Sequence, residues 1–114
     1  MNAPKRQFLA EFELYVMLAV VRLAPEAYGA AVRREIESRT DRSVSIGALY
    51  ATLGRLEDKG LLAHRASHPL PVKGGRSRKF YATTPAGETA LTHSAVALNR
   101  MMDGLGLAAD GEAI

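Results

Sequence analysis

S-I-G-A-L-Y-A-T-L-G-R-L-E-D-K-G-L-L fills residues 45–62, and K-G-G-R-S-R-K-F-Y fills residues 73–81. Ser45 is a good N-cap, and Gly60 can take the left-handed conformation that stops a helix. The spacing therefore predicts a helix from Ser45 to Gly60. At about 100° per residue, Ile46, Leu49, Leu53 and Leu56 form its inward face. Gly47, Ala48, Ala51, Gly54 and Arg55 point roughly the other way, with Tyr50 on the flank. A strand is expected from Leu61 to Ala66, then a loop from Ser67 to Gly75 broken by Pro69, Pro71, Gly74 and Gly75, then a return strand from Ser77 to Thr83. A helix with a small-residue outer face, followed by a basic hairpin, suits a recognition helix and its wing.

Upstream, two more helices are expected. Phe8, Leu9, Phe12, Tyr15, Val16, Ala19 and Leu23 recur at helical spacing, which places the first helix at about 8–23. Leu14, Met17, Leu18, Val20 and Val21 fill much of its remaining circumference. A helix apolar nearly all round is buried on more than one side, and in a chain this short the second side suits a partner subunit. The second helix is expected over 27–39, with Tyr28, Val32 and Ile36 on one face. Asp41 to Ser43 reads as a polar turn, and Ser43–Val44 as a very short strand. Downstream, Thr84–Pro85 pairs an N-cap with proline at the first helical position. Ala90 or Leu91, Ala95, Leu98, Met102 and Leu105 then form a near-heptad stripe suited to a helix–helix seam.

The expected fold is mainly α with a two-stranded β-hairpin, a winged helix-turn-helix of order α-α-α-β-β plus a C-terminal helix. The expected division is a flexible arm at 1–7, the winged domain at 8–84, a dimerisation helix at 85–105 and a flexible tail at 106–114.

Charge is unevenly distributed. Residues 1–58 hold eight basic and eight acidic side chains, residues 59–87 six basic and no acidic ones, and residues 88–114 one basic and four acidic ones. A local positive surface suits phosphates. The plainer alternative is a solvated basic hairpin. Catalysis finds little support. His64 and His68 flank a strand end rather than a helix face, so i, i+4 metal spacing does not apply to them, and His93 is the third histidine. There is no cysteine, and no G-x-S-x-G or Walker loop occurs. No enzyme activity, metal or cofactor is expected. No targeting signal is evident, and the apolar run Leu14–Val21 is too short to span a bilayer. A cytoplasmic protein is expected, with no membrane partner.

The outer face of the third helix carries the DNA hypothesis. Gly47, Ala48 and Ala51 leave the backbone open to close approach. Arg55 offers reach to guanine or phosphate, and Thr52 and the Tyr50 hydroxyl to phosphate. Ser45 lies at the helix N-terminus, where anions are favoured. In the hairpin, Lys73, Arg76, Arg78 and Lys79 cluster around Gly74–Gly75, and Arg76 suits the narrow minor groove. The alternatives are a small-residue face packed on another helix and a charged edge that blocks sheet aggregation. Surplus apolar surface on the first and last helices suggests a two-fold dimer, with Leu9, Val16, Leu91, Ala95, Leu98 and Leu105 at the interface.

The segment 45–62, together with G-G-R-S-R-K-F-Y-A-T-T-P-A-G at 74–87, resembles the PadR family of bacterial transcriptional regulators. E-F-E-L-Y-V-M-L-A-V-V-R-L at 11–23 and A-Y-G-A-A-V-R-R-E-I at 27–36 resemble that family's first two helices. The short tail resembles the subfamily with a single C-terminal dimerisation helix. The resemblance implies a homodimeric repressor, with Tyr50 and its neighbours at double-stranded DNA and Arg76 in the wing. It also implies that some members bind planar aromatic effectors between the first and last helices of the dimer. Here Phe8, Phe12, Tyr15, Met101 and Met102 could line such a cavity, although dimer core is the preferred reading. The chain has no tryptophan, no aromatic in its last helix, and Ala30 where many members carry an aromatic. The leading expectation is a repressor that occludes a pseudo-palindromic promoter site. The alternatives are a winged-helix protein-interaction module and a small-molecule sensor with weak DNA affinity.

Overall fold

The computed structural model describes residues 7–67 and 78–107. Its elements are α1 (Glu11–Leu23), α2 (Gly29–Thr40), α3 (Ile46–Asp58), β1 (Leu62–Ala66), β2 (Lys79–Thr83) and α4 (Pro85–Met102), the expected winged-helix order with a fourth helix. The expected wing-tip residues Lys73 and Arg76 lie outside the described residues, as do the arm at 1–6 and the tail from 108.

α1 starts three residues later than its periodicity suggests. The Glu13 carboxylate reaches back to accept from the Ala10 N–H at 3.0 Å, and the Leu9 N–H donates to Ser94 Oγ on α4 at 2.9 Å. Those bonds satisfy the leading backbone groups outside a helix. From α1, Val16, Met17, Ala19 and Val20 enter the core. They meet Val32 and Ile36 of α2, Leu49, Leu53 and Leu56 of α3, and Leu61, Leu62 and Tyr81 of the hairpin. Each full burial of such a side chain contributes about 1.5–3 kcal/mol.

α2 begins at Gly29, later than the apolar spacing indicated. Ala27 is fully buried and forms an isolated antiparallel bridge with Tyr81, its carbonyl accepting from the Tyr81 N–H at 2.8 Å. Tyr28 therefore caps α2 instead of joining Val32 and Ile36 on its inner face. The expected strand at Ser43–Val44 does not form. Val44 N–H donates to Glu37 Oε2 at 2.9 Å and its carbonyl accepts from Arg33 Nε at 2.8 Å, so α2 side chains take the groups a strand partner would need.

α3 follows its local signals. Ser45 Oγ accepts from Ala48 N–H at 3.1 Å. At the other end Gly60 sits at φ 75°, with its N–H on the Glu57 carbonyl and the Leu61 N–H on the Leu56 carbonyl. That pair of bonds is a Schellman stop. Ile46 departs from its expected core position and is 57% exposed. Residues 45–48 are all exposed, so among the described residues the first turn projects past the core and leaves Ile46 open.

β1 and β2 pair antiparallel, Leu62 opposite Thr83 and Ala66 opposite Lys79. Thr84 Oγ1 accepts from Gly87 N–H at 3.0 Å and caps α4. A Cβ on Gly87 would overlap the Leu61 carbonyl oxygen, so glycine lets α4 close on the root of the hairpin. α4 buries Gly87, Ala90 and Ser94. It ends at Met102, so Leu105 leaves the expected stripe and lies in a turn between Gly104 and Gly106, both at positive φ. Among the described residues no helix is long and apolar enough to cross a membrane.

Candidate nucleic-acid interface

The outward side of α3 is open. Gly47, Ala48, Tyr50 and Ala51 are exposed, and a Cβ built on Gly47 or Gly54 would meet nothing within 4 Å. Among the described residues no other element covers this face, which the small-residue packing alternative would require. The exposed first turn at Ser45 extends the face beyond the body of the domain. Small side chains on a projecting helix let its backbone approach a grooved surface closely.

One flank of that face is tied to α1. Arg55 Nε donates to Glu13 Oε2 at 3.4 Å, and Lys59 Nζ donates to the same oxygen at 3.0 Å. Glu13 is only 5% exposed. Burial pushes its pKa up, but the Ala10 N–H, then Lys59 and Arg55, outweigh burial and hold the carboxyl below its ordinary value. Thr52 requires a correction. It is 3% exposed, so burial withdraws its hydroxyl from a phosphate, and its Oγ1 accepts from Arg55 Nη2 at 3.2 Å and anchors that arginine instead.

The other flank meets α2 and the root of the wing. Tyr50 lies over Gly29, where any Cβ would overlap its ring. Tyr50, Arg78 and Lys79 border one recess of about 440 Å³ with Tyr28 and Gly29. The Arg78 guanidinium sits 4.3 Å from the Tyr28 ring centre, and Arg34 Nη2 donates to Tyr28 Oη at 3.0 Å. Arg65 lies 4.6 Å above Phe80, and Phe80 meets Tyr28 edge-on at 6.0 Å. These aromatic faces hold three arginines at the base of the wing. Pairing continues to the edge of the described hairpin, where Ser67 N–H donates to the Arg78 carbonyl and Arg78 N–H to Ser67 Oγ, both at 2.8 Å.

Four residues of this surface escaped the sequence reading. Glu13 figured only among the eight acidic side chains of residues 1–58. Tyr28 was assigned to the core side of α2, and Arg34 and Arg65 counted only as charge. The alternation of Arg65 with Phe80 across a hairpin register was the available signal.

The residues expected to serve a dimer or an effector separate in the protomer. Val16 is fully buried in the protomer's own core and has no surface to give a partner. Leu9 and Leu91 pack partly on that core, while Ala95, Leu98 and Leu105 are exposed. Phe8 faces His93 of α4, whereas Phe12 and Tyr15 lie under Arg42. Met101 is 77% exposed, and Met102 borders a groove of about 410 Å³ with Leu14, Leu18, Ala95 and Leu98. Among the described residues these five side chains are thus divided between separate surroundings.

Residues 17–93 match the Transcriptional regulator PadR-like family. Transcriptional regulator Rv3488 of Mycobacterium tuberculosis is 43% identical over 76 residues, an alignment covering 67% of this chain and 66% of that protein. The match thus spans just under two thirds of the relative's length. A PadR family transcriptional regulator from Eggerthella lenta DSM 2243 superposes with a TM-score of 0.61 at 31% identity, covering 83% of this chain and 84% of that one. F93 from STIV, a winged-helix DNA-binding protein, superposes with a TM-score of 0.64 at 20% identity, covering 84% of this chain and 97% of that one, a likeness of fold. The family and these relatives are described as regulators or DNA-binding proteins, not as enzymes.

Proposed function

We propose, from the premise that this chain belongs to the PadR-like family of transcriptional regulators, that it is a homodimeric, sequence-specific DNA-binding repressor of the cytoplasm. The observation that carries the reading is the uncovered outer face of α3, open at Gly47 and Gly54 and flanked by Arg55 on one side and Arg78 on the other. α3 would enter the major groove, Gly47, Ala48 and Ala51 allowing close approach. Ser45, Tyr50, Arg55, Arg78 and Lys79 would hold phosphates. Lys73 and Arg76 would act at the wing tip, with Arg76 in the minor groove.

The homodimer is supported by apolar surface left open on α1 and α4. Leu18, Val21, Leu98 and Met101 are each at least 40% exposed. Joining two copies along this surface would place two α3 helices on a pseudo-palindrome about one turn apart. Repression would follow from occlusion of the promoter. A planar apolar effector would enter at the same seam, beside Leu14, Leu98 and Met102, and would act by favouring one spacing of the two α3 helices.

Footprinting on the DNA upstream of the protein's own coding region tests the reading. A protected two-fold site is expected. Arg76→Ala and Arg55→Ala should each weaken protection while leaving the dimer intact. Protection unchanged in both variants would remove the site assignment.

A further inference from the structure

We infer that Glu13, on α1, is a positioning residue for DNA contact, holding the Arg55 guanidinium at the rim of the open α3 face where a phosphate can reach it. The inference rests on the DNA-binding reading above. Arg55 is fixed at two points, Nε to Glu13 Oε2 at 3.4 Å and Nη2 to Thr52 Oγ1 at 3.2 Å. Both acceptors are buried. Thr52 and Glu13 are 3% and 5% exposed, and the second Glu13 oxygen is held by the Ala10 N–H at 3.0 Å. The Arg55 side chain nevertheless remains 53% exposed, and its other N–H groups have no partner among the described residues. The guanidinium is thus presented at the surface rather than withdrawn from it.

The arrangement has two physical consequences. An unrestrained surface arginine must lose rotamer freedom when it binds, and one held in place beforehand loses less. A carboxylate beside a phosphate would ordinarily repel it, but Lys59 Nζ donates to the same Glu13 oxygen at 3.0 Å and balances that charge. With Arg55 included, the trio keeps one net positive charge at the rim of the helix. Sequestration is the competing account, in which Glu13 keeps Arg55 away from DNA. The two accounts predict opposite signs.

The test measures binding of the full chain to a short random-sequence duplex across a range of salt, for wild type, Glu13→Gln, Arg55→Ala and the double variant. Glutamine keeps the side-chain shape and an acceptor for the Ala10 N–H. Glu13→Gln should weaken binding roughly tenfold and make the log–log salt slope shallower by about one per protomer, the signature of one lost phosphate contact. Arg55→Ala should do the same, and the double variant should bind no worse than Arg55→Ala. A steeper slope or tighter binding in Glu13→Gln would mean sequestration and overturn the inference. So would a lower melting temperature with an unchanged slope, or an effect that adds in full to that of Arg55→Ala. If Glu13→Gln does not fold, Thr52→Val removes the other anchor at nearly constant shape. It must then give the shallower slope, and an unchanged slope overturns the inference. Salt-dependent wild-type binding with no effect of either anchor removes this inference alone. Wild type that does not bind the duplex removes the DNA reading along with it.

Discussion

α3 and α4 each leave one face uncovered in the protomer, and the two faces differ in chemistry. On α3 the uncovered residues are mostly small or polar, Gly47, Ala48, Ala51 and Tyr50, with Ile46 in the first turn and arginines at the margins. On α4 they are large and apolar, Val96, Leu98 and Met101, and they continue onto Leu18 and Val21 of α1. An open small-residue face gains little from burial but lets a backbone come close to a groove. An open apolar face gains about 25 cal/mol for each Å² it removes from water. In the function proposed above, α3 would meet a polar, grooved polymer and α4 another protein surface, its own copy.

That contrast can be broken most forcefully on α4. Leu98→Glu should raise the dimer dissociation constant about a hundredfold, roughly 3 kcal/mol, with the monomer still folded. Sedimentation equilibrium reads this directly, and an unchanged constant would detach the seam from α4. Next comes the α3 face. Ala51→Leu should weaken DNA binding about thirtyfold, roughly 2 kcal/mol, by holding the helix off the groove. Dimerisation and melting temperature should stay as in wild type; a loss of both would mean that Ala51 packs inside the protein.

The link between the two faces is Gly87. Gly87→Ala should cost about 1–3 kcal/mol in denaturant unfolding, because the atom it meets is the Leu61 backbone carbonyl. Gly29→Ala should cost less stability, since the nearest atoms it meets belong to the outer end of the Tyr50 side chain rather than to backbone, yet it should still impair DNA binding. Equal stability costs would contradict this distinction.

A smaller effect concerns the tie between α1 and α3. The Glu13 carboxyl is held below its ordinary pKa, so its contribution is complete above the unfolded carboxylate pKa of about 4.3 and fades as pH falls through the lower folded value. Wild type should therefore lose about 1 kcal/mol more than Glu13→Gln between neutral and strongly acid pH, the scale of one charged hydrogen bond partly open to water. Parallel pH curves would show that the tie carries no stability. The smallest effect lies on neither face. Asp41 ends α2 at φ 57°, and Asp41→Gly should stabilise by about 0.5 kcal/mol without altering DNA binding.

How much of this was legible in the sequence depended on whether the signal was local. Ser45 and Gly60 bracketed α3 correctly because capping involves residues a few positions apart. Thr84–Pro85 opened α4 for the same reason. Ala27 could not be placed from its neighbours, since its bridge to Tyr81 joins residues far apart in the chain. Val16 was misassigned because an all-round apolar helix does not declare which stripe faces inward. Thr52 was misread because a hydroxyl one turn from Arg55 serves equally as an anchor or a contact until the arginine's direction is known. Glu13 was unreadable as part of the site because its partners Arg55 and Lys59 lie more than forty positions away.

The central claim is that α3 and the wing form a phosphate-binding surface. Its most direct measurement is the salt dependence of wild-type binding to duplex DNA. Log affinity should fall linearly and steeply with log salt, by about 0.9 for each phosphate contact summed over the protomers that bind. Binding that ignores salt, or no binding at low salt, would contradict it.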